Sequence, residues 1–554
     1  MILDERSAGF FALGAAQASS TPVIVACTSG SAAANLHPAV VEADEAGVPL
    51  LVLTSDRPPE LRSIGAGQTI DQLKLYGGSV RWFDEVGTHE ADDVGLLHFR
   101  ATACRAYAAA RGEPRPGPVH LNLAWRDPLG PEERPGDVTA TSRLAIEGRG
   151  ERPLTAVSSA APVADSALLD ELATVIGETP RGLILAGRQT DPSLADAVAE
   201  LANAADYPIL AEPTSQVRLG AHDRRLVIWP YDAIARAAPA ELEPDLVVRF
   251  GDMPTSKALR MWIESLDDLR DIVVDSTFGW NEPSRIATAV VRASASETAR
   301  SLADRIRSAG ARGRESANEG FGADSSDPGG APGRWADLWL AAGTRAADVI
   351  ETGLAELREL TEPGVHTALA DLYADDELVY TASSMPIRDQ EAFAPDGGAR
   401  VRFLCNRGAN GLDGLVSSGI GAAAASAMPT WIITGDLGLI HDAAALATLR
   451  HVDTAVRIVV INNDGGGIFE FLPQAGQMDR EEFERLFATP ERLDLAQLAR
   501  LYGIPHRRVT TVAELEAAAA TTGLIEVPVE RSTNVKMHRR LSDAVADSLG
   551  ARRR

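Results

Sequence analysis

Cysteine and lysine are scarce in this chain. Cysteine occurs at Cys27, Cys104 and Cys405 of 554 residues. Positions that far apart fit neither a disulfide framework nor a zinc-binding spacing. They read as small buried side chains in a reducing compartment. Lys74, Lys257 and Lys536 are the only lysines among 53 basic residues, against 78 acidic ones, for a net charge of −25. A surface of that sign repels nucleic acid and anionic lipid. An enzyme that handled anions on such a surface would need arginines focused in its cleft. No apolar run reaches the roughly 18 residues of a spanning helix. The start, Met1-Ile2-Leu3-Asp4-Glu5-Arg6, is acidic and lacks the basic, then apolar, pattern of a signal peptide. The reading is a soluble, cytoplasmic protein with neither a nucleic-acid partner nor a membrane span.

Aliphatic strands are plentiful. At roughly 150 residues per domain, the length suggests three or four domains. Residues 22–27, 49–54 and 119–123 read as strands separated by helical patterns. A second series has strands at 182–186, 207–211, 246–250 and 271–275, with a helix at about 192–205. A third has strands at 378–381, 431–434 and 457–461. Continuous apolar strands alternating with helices indicate parallel sheets covered on both faces. The predicted fold is therefore α/β, with three consecutive doubly wound parallel-sheet domains. Their expected bounds are 1–135, 165–307 and 335–554. Residues 130–165 lack periodicity, and 308–334 are rich in Gly, Ser, Asp and Pro. Both read as linkers.

In the third series one strand ends in Thr434-Gly435-Asp436-Leu437, and the next ends in Ile461-Asn462-Asn463-Asp464-Gly465-Gly466. A helical stretch at about 442–450 lies between them. A strand–helix–strand crossover puts both strand ends on one edge of the sheet, where ligands bind. The Asp436 carboxylate, the Asn463 amide oxygen and the Gly465 carbonyl would then offer three hard ligands. Magnesium would complete its octahedron with two diphosphate oxygens and a water. A lone Gly-Asp after a strand often does no more than cap a helix. The Asn-Asn at this spacing is what makes the pair specific.

These two stretches resemble the fingerprint of thiamine-diphosphate enzymes. Other blocks resemble the menaquinone-pathway synthases of that family: Thr28 to Leu36, Asp56 to Leu61, Gly65-Ala66-Gly67-Gln68, Asn406 to Gly414 and Asn462 to Phe469. The resemblance covers most of the chain and is weakest between 130 and 380. It implies pyrimidine-binding, central and diphosphate-binding domains, thiamine diphosphate with Mg2+ or Mn2+, and a homodimer or dimer of dimers whose pockets form between sheets of two subunits. It assigns Glu5, in the first turn of a helix that Asp4 would cap, as the acid that relays a proton to the cofactor's pyrimidine ring. Asp436, Leu437, Asn463, Gly465, Gly466, Leu412, Ile468, Phe469 and Ser29 match cofactor-binding positions, and Asp436, Asn463 and Gly465 match the metal ligands. Leu412 is the apolar wedge that would bend the cofactor. Arg57, Gln68, Ser384, Arg388, Arg407 and Lys257 match substrate positions. Guanidinium forks suit dianions such as 2-oxoglutarate and isochorismate. The implied reaction is decarboxylation of 2-oxoglutarate and conjugate addition of the remaining unit to isochorismate, giving 2-succinyl-5-enolpyruvyl-6-hydroxy-3-cyclohexene-1-carboxylate.

Each residue also has a plainer reading. Glu5 is one more first-turn acid favoured by the helix dipole, Leu412 is core, and the arginines are surface. The sequence departs from the family at Leu437, where glycine is usual, at Gly67, where asparagine is usual, and at Ala258, where some members carry arginine. Family chains start about fifty residues upstream, so the expectation is a missing N-terminal segment. Two alternatives remain open: another carboligase or decarboxylase resembling acetolactate synthase, and a non-catalytic homologue.

Overall fold

The computed structural model describes residues 1–551, apart from 113–114, 128, 131–134, 159, 278 and 319–333. They form three sheets, and the chain divides into two compact units. The first unit comprises Met1–Ala160, Cys405–Ile432 and Gly438–Val456. The second comprises Ala161–Leu404, Ile433–Leu437 and Arg457–Arg554.

In the first unit, strands β1 (Val23–Cys27), β2 (Leu50–Asp56), β3 (Trp82–Glu85) and β4 (Val119–Ala124) form a parallel sheet in the order β1-β2-β4-β3. Strand β3, half-buried along its length, breaks the aliphatic pattern that marks the others. Val25, Leu50 and Val52 of the sheet bury against Leu13, Leu36 and Val40. The helix Glu5–Ser19 begins as the sequence indicates, with the Asp4 carboxylate accepting from Ser7 N. It lies against the helix Leu415–Ser426. A Cβ on Gly14 would stand 1.8 Å from Ser418 O, and one on Gly421 would stand 2.0 Å from Phe11 O. The missing side chains let the two backbones touch.

The second unit holds β5 (Gly182–Ala186), β6 (Ile209–Ala211), β7 (Leu246–Phe250), β8 (Arg270–Val274) and β9 (Ala289–Val291), in the order β6-β5-β7-β8-β9 and parallel throughout. Every residue of β5, β6 and β7 is buried. That is why these strands read as largely apolar runs, broken only by Arg249 of β7. The segment anticipated as a linker at 308–334 needs correction. Its beginning continues the helix Ala295–Asn318, its end opens the helix Arg334–Ala355, and 319–333 lie outside the described residues. Alanine, arginine and glutamate are good helix formers even where aliphatics are few. The anticipated linker at 130–165 is mostly irregular in its described part, with a short helix Arg143–Glu147.

The third sheet contains β10 (Glu377–Thr381), β11 (Val401–Leu404), β12 (Thr430–Gly435), β13 (Val456–Asn462), β14 (His506–Arg508) and β15 (Gly523–Pro528), in the order β11-β10-β12-β13-β15-β14. Between β12 and β13 the chain differs from expectation. A helix, Asp436–His441, starts directly at the end of β12, and a 3-10 helix, Ala443–His451, follows. The break falls at Asp442, whose buried carboxylate accepts from the backbone N and hydroxyl of Ser417, at 2.7 and 2.9 Å. No helix among the described residues is long and apolar enough to cross a membrane.

Candidate functional site

Asp436 stands immediately after β12, and Asn463 immediately after β13, its neighbour in the sheet. Gly465 N donates to Asp436 Oδ2 at 2.8 Å, so the two strand ends meet on one edge. Asp436 is buried, and burial pushes its carboxyl up to about 6 despite backbone hydrogen bonds from Gly465 and Leu437. Asn463 is buried too. Its Nδ2 donates to Glu362 Oε1 at 2.8 Å, while its Oδ1 is buried and has no donor among the described residues. An orphaned buried acceptor costs about 1–3 kcal/mol. A cation next to Asp436 would remove that cost.

The glycine turn has the shape such a site needs. Gly465 has φ +134°, and a Cβ there would meet Ala488 O at 2.3 Å. A Cβ on Gly467 would meet Asn463 Nδ2 at 2.5 Å. Among the described residues no group of three or more His, Cys, Asp or Glu side chains could hold a metal ion. The donor set here is one carboxylate, one amide oxygen and the carbonyl of the turn. Such hard, oxygen-only donors suit magnesium or manganese rather than zinc, so the residues present fit the implied cation. Glu362 was not singled out in the sequence. It lies 101 residues from Asn463, and the only local sign is that it follows the N-cap Thr361. Burial and then the neighbouring Asp389 hold its carboxyl well above the usual range.

Ile468 and Phe469 follow in a short 3-10 helix, half-buried, with the Phe469 ring 5.7 Å from that of Phe487. Gly466 is buried, and Leu437 is half-buried in the first turn after Asp436. In the same unit Arg388 Nη1 donates to Ser384 O at 2.5 Å. Ser384 has φ +77° and ψ −135°, a region natural only to glycine. Such strain persists only where the surroundings impose it. Lys257 is exposed at the start of the helix Lys257–Glu264, and no hydrogen bond or ion pair joins it to the other candidates among the described residues.

The first unit gathers a second group. Glu5 is half-buried in the first helical turn. It lies near enough to Cys27 that its charge, after burial, helps push that thiol up to about 12. Ser29 Oγ donates to Gln68 O at 2.9 Å, and Gln68 Nε2 returns bonds to Ser29 O and Thr28 Oγ1, each at 3.1 Å. Arg57 follows β2, and its half-buried guanidinium has no acceptor among the described residues. The nearby acids are already engaged by Arg62, which pairs with Asp56 at 2.8 Å and Glu85 at 2.6 Å. Arg407 is half-buried in a loop braced from outside. The buried Glu42 carboxylate accepts from Gly408 N and Ala409 N, both at 2.7 Å. Leu412 is 39% exposed, which removes the core-packing explanation for it.

Comparison with known proteins gives this geometry a family. Residues 1–75 match the model "Thiamine pyrophosphate enzyme, N-terminal TPP binding domain", and residues 401–527 match its C-terminal TPP-binding counterpart. The chain is 40% identical to the 2-succinyl-5-enolpyruvyl-6-hydroxy-3-cyclohexene-1-carboxylate synthase of Myxococcus xanthus, over 99% of this chain and 90% of that one. It is 41% identical to the synthases of that name from Chloroflexus aurantiacus and Geobacillus kaustophilus, over 99% of this chain and 89% and 90% of theirs. The chain therefore belongs to the 2-succinyl-5-enolpyruvyl-6-hydroxy-3-cyclohexene-1-carboxylate synthases, a family of thiamine-pyrophosphate enzymes.

Proposed function

We propose that the chain decarboxylates 2-oxoglutarate and joins the remaining four-carbon unit to the ring alkene of isochorismate, the carbon–carbon bond-forming step of menaquinone biosynthesis that gives the family its name. Asp436, the Asn463 amide oxygen and the Gly465 carbonyl would hold a divalent cation, magnesium or manganese, which would supply positive charge for binding the cofactor's diphosphate. When bound, thiamine diphosphate supplies the nucleophilic thiazolium carbon and the electron sink for loss of carbon dioxide. Glu5 holds a proton at the pyrimidine nitrogen opposite the 4′-amino group. Ser29 and Gly466 would line the cofactor's site, Leu412 would pack against the cofactor as an apolar wedge, and Leu437, Ile468 and Phe469 would keep water from it. Arg57, Arg388 and Arg407 bind the substrate carboxylates, aided by Gln68, Ser384 and Lys257. On a surface of net charge −25 these guanidinium groups are what draw dianions in. The functional protein is a cytoplasmic homodimer or a dimer of dimers.

The observation that carries the reading is the orphaned Asn463 oxygen on the same strand edge as Asp436, where the family's fingerprint falls. Mass-spectrometric product analysis with 2-oxoglutarate, isochorismate, thiamine diphosphate and Mg2+ tests it. The expected product is the cyclohexene carboxylate, formed only with all four components. Carbon dioxide release without coupling to isochorismate would favour a decarboxylase of other specificity. No thiamine-dependent release at all would mean a non-catalytic homologue.

A further inference from the structure

We propose that Glu362 is a positioning residue that holds the Asn463 amide with its oxygen, and not its nitrogen, toward the cation. The inference rests on the reading of Asp436, Asn463 and Gly465 as a divalent-cation site. The two ends of an asparagine amide are nearly identical in shape and opposite in function, one an acceptor and the other a double donor. Only the oxygen can ligate a metal. Turned over, Asn463 would present N–H groups to a cation and lose the contact altogether.

Glu362 fixes the choice. Its Oε1 takes Asn463 Nδ2 at 2.8 Å, inside the protein, with the glutamate 1% exposed. Turning the amide over would set the Asn463 oxygen against Glu362 Oε1, an acceptor in this geometry because the carboxyl shares its proton with Asp389. Glu362 is itself held in place, because it opens the helix Glu362–Leu372, capped by Thr361 Oγ1 accepting from Gly364 N. Gly467 closes over the pair: a Cβ there would fall 2.5 Å from Asn463 Nδ2 and 3.6 Å from Glu362 Oε1. A side chain at that position would force the two apart. Glu362 points its acceptor at the ligand's far end, so it acts through Asn463 rather than on the cation. This is the arrangement by which an outer partner orients a metal ligand.

Mn2+ binding to the full chain with thiamine diphosphate, followed by electron paramagnetic resonance, tests this without reference to turnover. Glu362→Met removes the acceptor at nearly constant volume. Glu362→Asp keeps an acid but withdraws it by one methylene, and it decides the matter if the methionine variant does not fold. Both are expected to weaken Mn2+ by about 10–100-fold, and Glu362→Gln, whose amide oxygen can take the same bond, by no more than about threefold. Activity of the aspartate variant should return at saturating Mn2+, since the loss lies in affinity and not in the chemical step. Asn463→Ala is the control. If it binds Mn2+ like the unaltered chain, or if the unaltered chain does not bind Mn2+, the cation-site reading itself fails. If Asn463→Ala weakens binding while the methionine and aspartate variants do not, the cation site stands and the role of Glu362 is overturned. A Glu362→Gln variant as weak as Glu362→Met overturns it as well.

Discussion

Gly465 shows how narrowly single positions are constrained at the strand edge. Its φ of +134° and the 2.3 Å separation of a would-be Cβ from Ala488 O leave no room for a side chain. Gly465→Ala should therefore shift the turn whose N–H holds Asp436 and weaken Mn2+ binding by at least about tenfold, measured by the same spectroscopy. Glu5→Gln should behave in the opposite way. It should abolish carbon dioxide release from 2-oxoglutarate while leaving Mn2+ and diphosphate binding close to unaltered, which calorimetric titration would register. Full turnover by that variant would end its assignment as the proton relay. The positions of Asp436 and Asn463 directly after two aliphatic strands were legible in the sequence, because strand ends can be read from periodicity. Glu362 and Glu42 were not. Each makes its bond to a loop hundreds or about a hundred positions away, and nothing in the neighbouring residues announces that partner.

At the scale of elements, the contact between the helices Glu5–Ser19 and Leu415–Ser426 depends on what is missing from both. Gly14→Val would drive a branched side chain into Ser418 O, already 1.8 Å from the position of a Cβ. The expected cost is about 3 kcal/mol or more, seen as a lower urea midpoint. Thr511→Ala is a milder test. It breaks the reciprocal capping box with Glu514 at the start of the helix Val512–Ala519 and should cost about 1 kcal/mol. Buried strands such as β5 and β7 could be read from the sequence because both faces are covered and nearly every residue is apolar, Arg249 of β7 being the exception. Strands β3, β9 and β14 could not. They are short or carry charge, as in Trp82-Phe83-Asp84-Glu85 and His506-Arg507-Arg508, and their pairing is set by neighbours rather than by their own pattern. The end of the helix Ala295–Asn318 is hard to read for the converse reason, since a stretch with few aliphatics shows little periodicity.

For the molecule as a whole, buried acids set the response to pH. Burial, and then the charge of Glu212, raise the Glu391 carboxyl from 4.5 to about 8, beside the Tyr231 hydroxyl that donates to it. The folded chain thus keeps a proton that the unfolded chain has released. That contribution is complete below about pH 4.5 and is lost as pH rises through 8. Asp271, Asp436 and Asp442, raised to about 6, act in the same direction but below that value. His120 and His366, lowered by burial to about 4, act oppositely and only below 6.5. Between pH 6.5 and 8 stability should therefore fall, and Glu391→Gln should flatten the slope by about 1 kcal/mol per pH unit in urea titrations. An unchanged slope would remove Glu391 from the account.

The way the polypeptide alternates between its two compact units bears on its synthesis. The stretch Met1–Ala160 leaves the ribosome long before Cys405–Ile432 and Gly438–Val456, which complete the same unit. Until then the face of the Glu5–Ser19 helix that meets the helix Leu415–Ser426, around Phe11 and Gly14, has no cover, and the nascent chain carries it exposed. No single cut or gene split yields either unit as a continuous fragment. A half-length product should accumulate on chaperones or in inclusion bodies rather than as a stable fragment.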